Sequence, residues 1–345
     1  MRAYIIRRLL LTIPTLLTIS FLAFLVIRMM PGDVVDAMAS LRVEHSGAGS
    51  SAPSSAETAA ALRMYAEEIR DKLGLDEPVL IEYGRWMGFI PQEQKRGGGF
   101  SGIFQGNLGI SLWGGEPVAE LILPRLPVTL QLFVMSIIIT YLVGLPIGIY
   151  SAVRQDTWGD YLGRSFAIMW LAVPGFWLAT MVMVFPAIWW GWSPPIMLIP
   201  FTEDPIGNLK MFMLPALIMG LSGTGGLMRQ TRTWMLEVLR QDYIRTAWGK
   251  GLKERVVLIR HAFRNTLIPI ATAIGYMVPG LIAGAVIMEN IFSLPGMGQL
   301  GITALYQRDF ALLASLLLIS AVLMVFGYLL SDIIYCYVDP RIRYK

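Results

Sequence analysis

Six uncharged, mostly apolar stretches run through this chain, and each is long enough to cross a lipid bilayer as a helix. A spanning helix needs about 17–25 such residues, and the stretches cover residues 9–27, 126–153, 165–202, 211–228, 265–288 and 310–331. The third is too long for one helix, and we expect its helix to end near Trp192, where Trp189, Trp190 and Trp192 form a pattern typical of an interfacial aromatic belt. The sequence therefore predicts an all-α polytopic membrane protein with six transmembrane helices.

Prolines occur inside most of these stretches, although proline breaks helices in soluble proteins. Within a membrane bundle, neighbouring helices can satisfy the backbone groups that a proline frees. We therefore expect helices to continue through prolines inside the stretches, among them Pro14, Pro146, Pro174, Pro186, Pro215 and Pro279.

Charge is scarce in this chain and unevenly distributed. The sequence is 55% hydrophobic and 15% charged, whereas soluble proteins carry roughly 25% charged residues. With the N-terminus placed in the cytoplasm, 17 of the 28 Lys and Arg residues fall in cytoplasmic segments, whose net charge is +10 against −6 outside. This is the positive-inside distribution. The net charge of +4 thus indicates membrane orientation rather than nucleic-acid binding, and both termini are predicted to be cytoplasmic.

The sequence offers little chemistry of its own. The single cysteine, Cys336, excludes an intrachain disulfide and a four-cysteine zinc site. No Gly-x-x-x-x-Gly-Lys-Ser/Thr phosphate loop is present, so the chain does not bind ATP by that device. No ionisable residue lies in the middle of an apolar stretch, where proton-coupled carriers usually need one. If transport requires energy, a partner must supply it.

An enzyme is a further alternative, because Gly220-Leu221-Ser222-Gly223 matches the Gly-x-Ser-Gly motif of intramembrane serine proteases. That chemistry needs a base within hydrogen-bond reach of the serine. The two histidines, His45 and His261, both lie outside the apolar stretches. Small residues at 220–226 more simply permit close helix packing or local flexibility.

The chain divides into four predicted parts. Residues 1–30 form the first transmembrane helix, 31–126 an external segment, 127–337 a core domain with the other five helices, and 338–345 a cytoplasmic tail. Within the external segment, 45–60 is a Ser/Ala/Gly-rich tether, 61–73 has the apolar stripe of a helix, and 95–99 is a loop. Asp76 and Pro78 predict the cap and first turn of a helix that continues through Trp86.

The basic segment, residues 229–264, carries nine Lys and Arg residues. On charge alone it could be an ordinary positive-inside loop. However, it also has an apolar stripe at helical spacing, interrupted by Gly249 and Gly251, which predicts two short helices that meet at a tight turn. The stripe gives the segment a face that a groove on a cytosolic partner would bury. Its members are Ile244, Ala247, Leu252, Val256, Ile259 and Phe263.

Several motifs in this order resemble one known family. The run DYIRTAWGKGLKERVVLIRHAFRNTLIP resembles the cytoplasmic signature loop of permease subunits in ABC importers of the oligopeptide/dipeptide class. Six other runs resemble segments of the same family; they are YIIRRLLLTIPTLL, KLGLDEPVLIEYGRWM, NLGISL, RLPVTLQL, AGAVIMENIFSLPGMGQL and YVDPRIRYK. The subclass resembled is the first of the two permeases, which has the long external segment.

The resemblance implies a site but no catalysis. The family's Ala-x-x-x-Gly element maps onto Ala247 and Gly251, within the helix that couples the permease to its ATPase. It implies no catalytic residue and no metal ligand. The implied ATPase-coupling residues are Arg245, Thr246, Ala247, Gly249, Lys250, Gly251, Leu252 and Glu254.

The sequence also departs from the family's pattern in several places. Arg245-Thr246-Ala247 stands where the general signature begins with Glu-Ala-Ala. Residues 45–60 and 93–106 look like insertions, and the Trp-rich stretch at 189–192 is unusual for the family. Since peptides, nickel complexes and some oligosaccharides all pass through members of this subclass, these departures leave the substrate open.

The function implied by the resemblance is that of a permease subunit with type I ABC-importer architecture in a bacterial or archaeal plasma membrane. It would form half of a translocation pathway that works by alternating access. Its expected partners are a homologous second permease, two cytosolic ATPase subunits that bind ATP and Mg²⁺, and an external solute-binding protein; this chain itself would carry no cofactor. The alternatives are a secondary transporter or channel acting without ATPase subunits, and a membrane enzyme.

Overall fold

The computed structural model describes residues 2–28, 64, 77–93, 98–195 and 197–338, and over that part of the chain it is built from helices. Extended pairing there is limited to two isolated bridges, Gln92 with Gly99 and Ile110 with Pro117. A π-helix, Val257–Phe263, lies in the basic segment and runs directly into the helix that begins at Arg264. The helices are α1 Arg2–Arg28, α2 Val79–Met87, α3 Val118–Ile122, α4 Leu126–Val153, α5 Trp158–Ala172, α6 Gly175–Trp190, α7 Pro205–Leu239, α8 Asp242–Gly249, α9 Glu254–Val256, α10 Arg264–Ile291, α11 Met297–Gln307 and α12 Phe310–Val338.

Four of the described stretches are long and apolar enough to cross a membrane. They are Arg7–Val26, Val118–Val153, Pro205–Leu239 and Phe310–Ile334. α5 and α6 meet the same test only as a pair, and α10 contributes the shorter apolar helix Met277–Ile291. Each of the six apolar stretches of the sequence therefore contains helix, and α4 has the predicted bounds of residues 126–153.

The prediction of one helix in the third stretch is wrong. The structure has two helices there, α5 and α6, which are bent by 85° relative to each other. The break lies at Val173 and Pro174, whose backbones are extended, because proline disfavours the helical conformation in the residue before it. The other end of the stretch is as expected, since α6 ends at Trp190 and Gly191 has a left-handed φ of +61°.

Two compact units are present, and the smaller comprises Leu17–Leu121 and Ala304–Leu318. In it, the ring of Tyr83 on α2 packs edge-on against Phe21 at a centroid distance of 5.2 Å. The carboxylate of Asp309 accepts hydrogen bonds from the Ser111 hydroxyl (2.5 Å) and the Leu112 amide (3.0 Å). These bonds tie the loop before α3 to the start of α12.

Some predictions for the external segment can be compared with this unit. α2 begins directly after Pro78 and ends at Met87, one residue beyond the predicted end. The cap residue Asp76 and the tether at 45–60 lie outside the described residues, as does the 61–73 helix apart from Met64.

The larger unit comprises Met1–Leu16, Ile122–Thr303 and Ile319–Lys345, and its centre is the contact between α4 and α7. Glycines on both helices allow their backbones to approach closely. A Cβ atom added to Gly220 would lie 2.9 Å from the carbonyl oxygen of Ser136, and one added to Gly148 would lie 2.8 Å from that of Met228. The Thr140 hydroxyl donates to the Gly220 carbonyl across the contact at 2.8 Å.

An ion pair fixes α5 to α7. The guanidinium of Arg232 donates from Nε to Asp160 Oδ1 (2.9 Å) and from Nη2 to Asp160 Oδ2 (2.7 Å). The amide of Asp156 donates to the same carboxylate at 3.1 Å. Asp160 is fully buried, so its charge has lost its contact with water and depends on these donors.

We expect Arg232→Met to destabilise the protein by about 3–5 kcal/mol, because it removes the guanidinium that donates both side-chain hydrogen bonds to the buried Asp160 carboxylate. The double variant Asp160→Asn, Arg232→Met buries no charge and should recover most of that loss. Thermal unfolding of the purified protein in detergent measures both effects. A double variant no more stable than the single one would contradict the account.

Candidate functional site

The structure divides the predicted apolar stripe of the basic segment between two environments. Ile244 and Ala247 of α8 are buried. The stripe was predicted to be buried by a partner, but this part of it is covered by the chain's own helices. The two side chains share a buried cluster with four residues from α4, α7 and the π-helix region, namely Ala152, Met235, Val257 and Ala262.

Phe263 of the stripe is partly buried and packs against this cluster. The other three members of the stripe are exposed and form a surface with two aromatic side chains of α8. Leu252, Val256 and Ile259 are exposed, and so are Tyr243 and Trp248. Partial burial raises the pKa of the Tyr243 hydroxyl. The amide of Asn265 at the start of α10 donates to that hydroxyl at 3.1 Å. This bond ties the exposed side of α8 to the start of α10.

The tight turn predicted at Gly249 and Gly251 is confirmed. α8 ends at Gly249, and Gly251 has a left-handed φ of +73°, a conformation that glycine adopts without steric cost. The Gly251 amide donates to the Trp248 carbonyl at 2.9 Å and thereby closes the turn. A Cβ atom at either glycine would meet no heavy atom of the described chain within 4 Å.

Of the eight predicted coupling residues, Ala247 is buried and the other seven are exposed. Arg245 pairs with Asp242 of the same helix at 3.5 Å. Glu254 pairs with Arg154, the residue that follows α4, at 3.4 Å. The structure therefore brings the eight residues together at one turn, and one ion pair ties that turn to the end of α4.

A cavity of about 1120 Å³ lies beside this segment, between α4, the α5–α6 break, α7 and α10. None of the described residues that line it is charged; Thr140, Ser222, Gln230 and Trp234 supply its polar groups, and five glycines widen it. The lining positions on α7 run from Met219 to Trp234, and those on α10 from Ile268 to Met288. At 1.5 Å per residue these walls are about 22 and 30 Å long.

The serine of the protease motif belongs to this cavity. The Ser222 hydroxyl donates to the Ile218 carbonyl one turn earlier, at 2.8 Å. His261 lies in the π-helix and is not among the residues that line the cavity, and His45 lies outside the described residues. None of the described residues that line the cavity is a histidine, lysine, aspartate or glutamate that could act as a base for this serine.

A buried carboxylate that sequence analysis missed fixes the far end of α10. Glu289 accepts hydrogen bonds from the Thr129 hydroxyl (2.6 Å) and from the Gln299 amide (3.0 Å). The same hydroxyl accepts from the Met297 amide at 2.8 Å. The Glu289 carboxyl group thus lies at the start of α11, where it accepts from a backbone amide of the first helical turn. The sequence signal was a glutamate directly after an apolar stretch, followed by glycines at 296 and 298.

The sequence was compared with known families and proteins. A family model described as the inner membrane component of binding-protein-dependent transport systems matches residues 144–344. A putative peptide transport system permease protein of Brucella abortus is 38% identical over 344 residues. The oligopeptide transport system permease protein AppB of Bacillus subtilis is 36% identical over 347 residues, and the dipeptide transport system permease protein DppB of Escherichia coli is 34% identical over 368. Each of these alignments covers 100% of both chains.

The two environments of the basic segment can be tested by substitution. Ile244→Ala should destabilise the protein by about 2–5 kcal/mol, because it removes a fully buried side chain from the cluster. Trp248→Ala on the exposed side of the same helix should change stability by about 0.5 kcal/mol or less. Thermal unfolding in detergent compares the two. An equal loss for both variants would show that the exposed surface is also part of the protein's own core.

Proposed function

This chain belongs to the family of inner membrane components of binding-protein-dependent transport systems, and we propose from that premise that it forms half of the translocation pathway of an ATP-driven peptide importer. Membership of this family favours a permease subunit over a secondary transporter or a membrane enzyme. The peptide substrate is part of the proposal, and it is supported by relatives named as oligopeptide and dipeptide transport system permeases.

The observation that carries the proposal is the cavity between α7 and α10. Its walls of about 22 and 30 Å compare with a bilayer hydrocarbon core of about 30 Å. The lining is uncharged and interrupted by glycines, so a solute would meet no fixed charge that could hold it. A groove of membrane length on one chain is what half of a pathway requires, with a homologous second permease supplying the facing half.

We propose six spanning helices with both termini in the cytoplasm. The spans are α1, α4, the bent α5–α6 pair, α7, α10 and α12. The orientation rests on the positive-inside charge distribution of the sequence. It places the basic segment in the cytoplasm and residues 31–126 outside, where an external solute-binding protein would deliver the substrate.

We propose that the two faces of the basic segment have different contacts. The buried face packs on this chain, and the exposed face binds a cytosolic ATPase. Ile244 and Ala247 hold α8 against α4 and α7, while Trp248, Leu252 and Ile259 remain exposed for the partner. Two ATPase subunits would bind ATP and Mg²⁺, and no such site is proposed for this chain. Their closure would push α8, and rigid-body rocking of the packed helices would open the pathway outward.

The orientation can be tested by cysteine labelling in intact cells. In a Cys336→Ser background, Glu116→Cys should react with a membrane-impermeant maleimide, because residue 116 is exposed and predicted to lie outside. Lys253→Cys, also exposed, should react only after the cells are permeabilised. The reverse pattern would overturn both the orientation and the proposed docking of the basic segment.

The docking of α8 can be tested at Gly249 and Gly251, whose surroundings in this chain are equally open. Gly249→Leu leaves the backbone unstrained, so only a partner that approaches closely can penalise it, by about 1–3 kcal/mol. Gly251→Leu should cost about 1–2 kcal/mol more, because its φ of +73° is left-handed. Both variants should lower the ATPase activity that loaded binding protein stimulates in the reconstituted complex.

The control for these variants is Lys253→Gln, which removes one of nine charges from the segment without adding bulk. It should matter less than either leucine. Membrane insertion, measured as expression level, should persist in all three variants because no apolar stretch is altered. Normal coupling in both leucine variants, together with lost coupling in Lys253→Gln, would mean that the segment acts through its charge alone.

A further inference from the structure

The glycines of α7 differ in whether neighbouring atoms leave room for a side chain. Three of them are needed for packing within this chain. An added Cβ atom would lie 2.7 Å from Ile139 at Gly220, 2.9 Å from Thr140 Oγ1 at Gly223 and 2.5 Å from the Ala167 carbonyl oxygen at Gly225. Gly226 is the exception, since a Cβ atom there would meet no described heavy atom within 4 Å.

α10 contains the same contrast. A Cβ atom at Gly275 would lie 2.9 Å from the Cβ atom of Ser331, so packing against α12 accounts for this glycine. At Gly280 an added Cβ atom would have no described neighbour within 4 Å. Gly226 and Gly280 both line the cavity, one from each long wall.

Neither glycine is explained by the stability of its helix. Both lie in helix interiors, where glycine is a weaker helix former than alanine. An alanine would fit both positions sterically, and neither glycine has a positive φ that would exclude it. What the two glycines provide is the space that two side chains would otherwise occupy on facing walls of one cavity.

We propose that Gly226 and Gly280 set the width of the pathway and thereby limit the bulk of the solute that passes, an inference that rests on the proposed function. The lining selects weakly on charge, because none of its described residues is charged. The Thr140 and Ser222 hydroxyls already donate to backbone carbonyls of α7. Discrimination at this level of the pathway is therefore by cross-section, and a solute of either charge sign is tolerated if it is narrow enough.

The experiment must distinguish two occupants of this space, a passing solute and a transmembrane helix of the second permease. Gly280 and Gly284 have the Gly-x-x-x-Gly spacing through which membrane helices pack against each other. A helix of the second permease seated on these glycines would make them interface positions. Residues covered by a helix are closed to water, whereas residues that line a pathway are open to it, and this difference can be measured without knowing the substrate.

The first experiment measures thiol reactivity in the complete importer, reconstituted with its ATPases. In the Cys336→Ser background, Gly226→Cys and Gly280→Cys are labelled with a small water-soluble methanethiosulfonate, which requires a hydrated thiolate. The control is Leu227→Cys, which neighbours position 226 but is fully buried. We expect both test positions to react about tenfold faster than position 227 or more, which corresponds to an accessibility difference of about 1.4 kcal/mol. Rates as slow as at position 227 would overturn the proposal in favour of a covered interface.

The second experiment measures width directly with dialanine and tetraalanine as probes. Gly226→Phe and Gly280→Phe should lower uptake of tetraalanine into proteoliposomes about tenfold more than uptake of dialanine. Gly226→Ala, which adds only one methyl group, should change the ratio in the same direction but by less. An unchanged ratio in both phenylalanine variants, or loss of the assembled complex, would contradict the proposal. Failure of the wild-type importer to take up either peptide would instead overturn the peptide assignment, and the labelling rates would still decide the role of the two glycines.

Discussion

Close packing of α4 on α7 is the interaction on which the rest of the larger unit depends. Lipid tails are as apolar as leucine, so helices in a membrane associate by packing and hydrogen bonding rather than by a hydrophobic driving force. Gly148 and Gly220 let the two backbones meet, and the Thr140 hydroxyl bridges them. Because this contact fixes one side of α7, the adjoining side is free to form a wall of the cavity with Ser222 and Gly226.

The sequence predicted what depends on local composition and missed what depends on distant partners. Uncharged runs located the helices, because length and apolarity are properties of a single segment. The break at Pro174 was missed, since Pro146 and Pro215 lie in comparable runs and are accommodated within helices. The Asp160–Arg232 pair joins residues 72 positions apart, and the bond between Glu289 and Thr129 joins residues 160 positions apart. Sequence spacing predicts neither contact, because both depend on how distant helices pack.

The difference between local composition and distant partners also explains which predictions for the basic segment were confirmed. Periodicity correctly predicted short helices and a turn at Gly251, but it could not say which structure covers each apolar residue. Ile244 and Ala247 complete a cluster that includes Ala152 of α4 and Met235 of α7. Packed interiors transmit displacement with little compression. In the proposed mechanism, a push on α8 is therefore delivered to the ends of two pathway helices without passing through a flexible linker.

The π-helix between α9 and α10 limits the insertions and deletions that the sequence can accommodate during evolution. It links α9 to α10 through continuous helical backbone, so the rotational phase of α10 is set from α9, residue by residue. Inserting or deleting one residue ahead of α10 would change the rotational phase of everything downstream, by about 100° where the backbone is α-helical, and Gly280 would leave the cavity wall. Substitutions at the exposed positions of the π-helix, such as Ile259, are compatible with the fold, whereas a change in its length is not, unless a second change of length restores the phase.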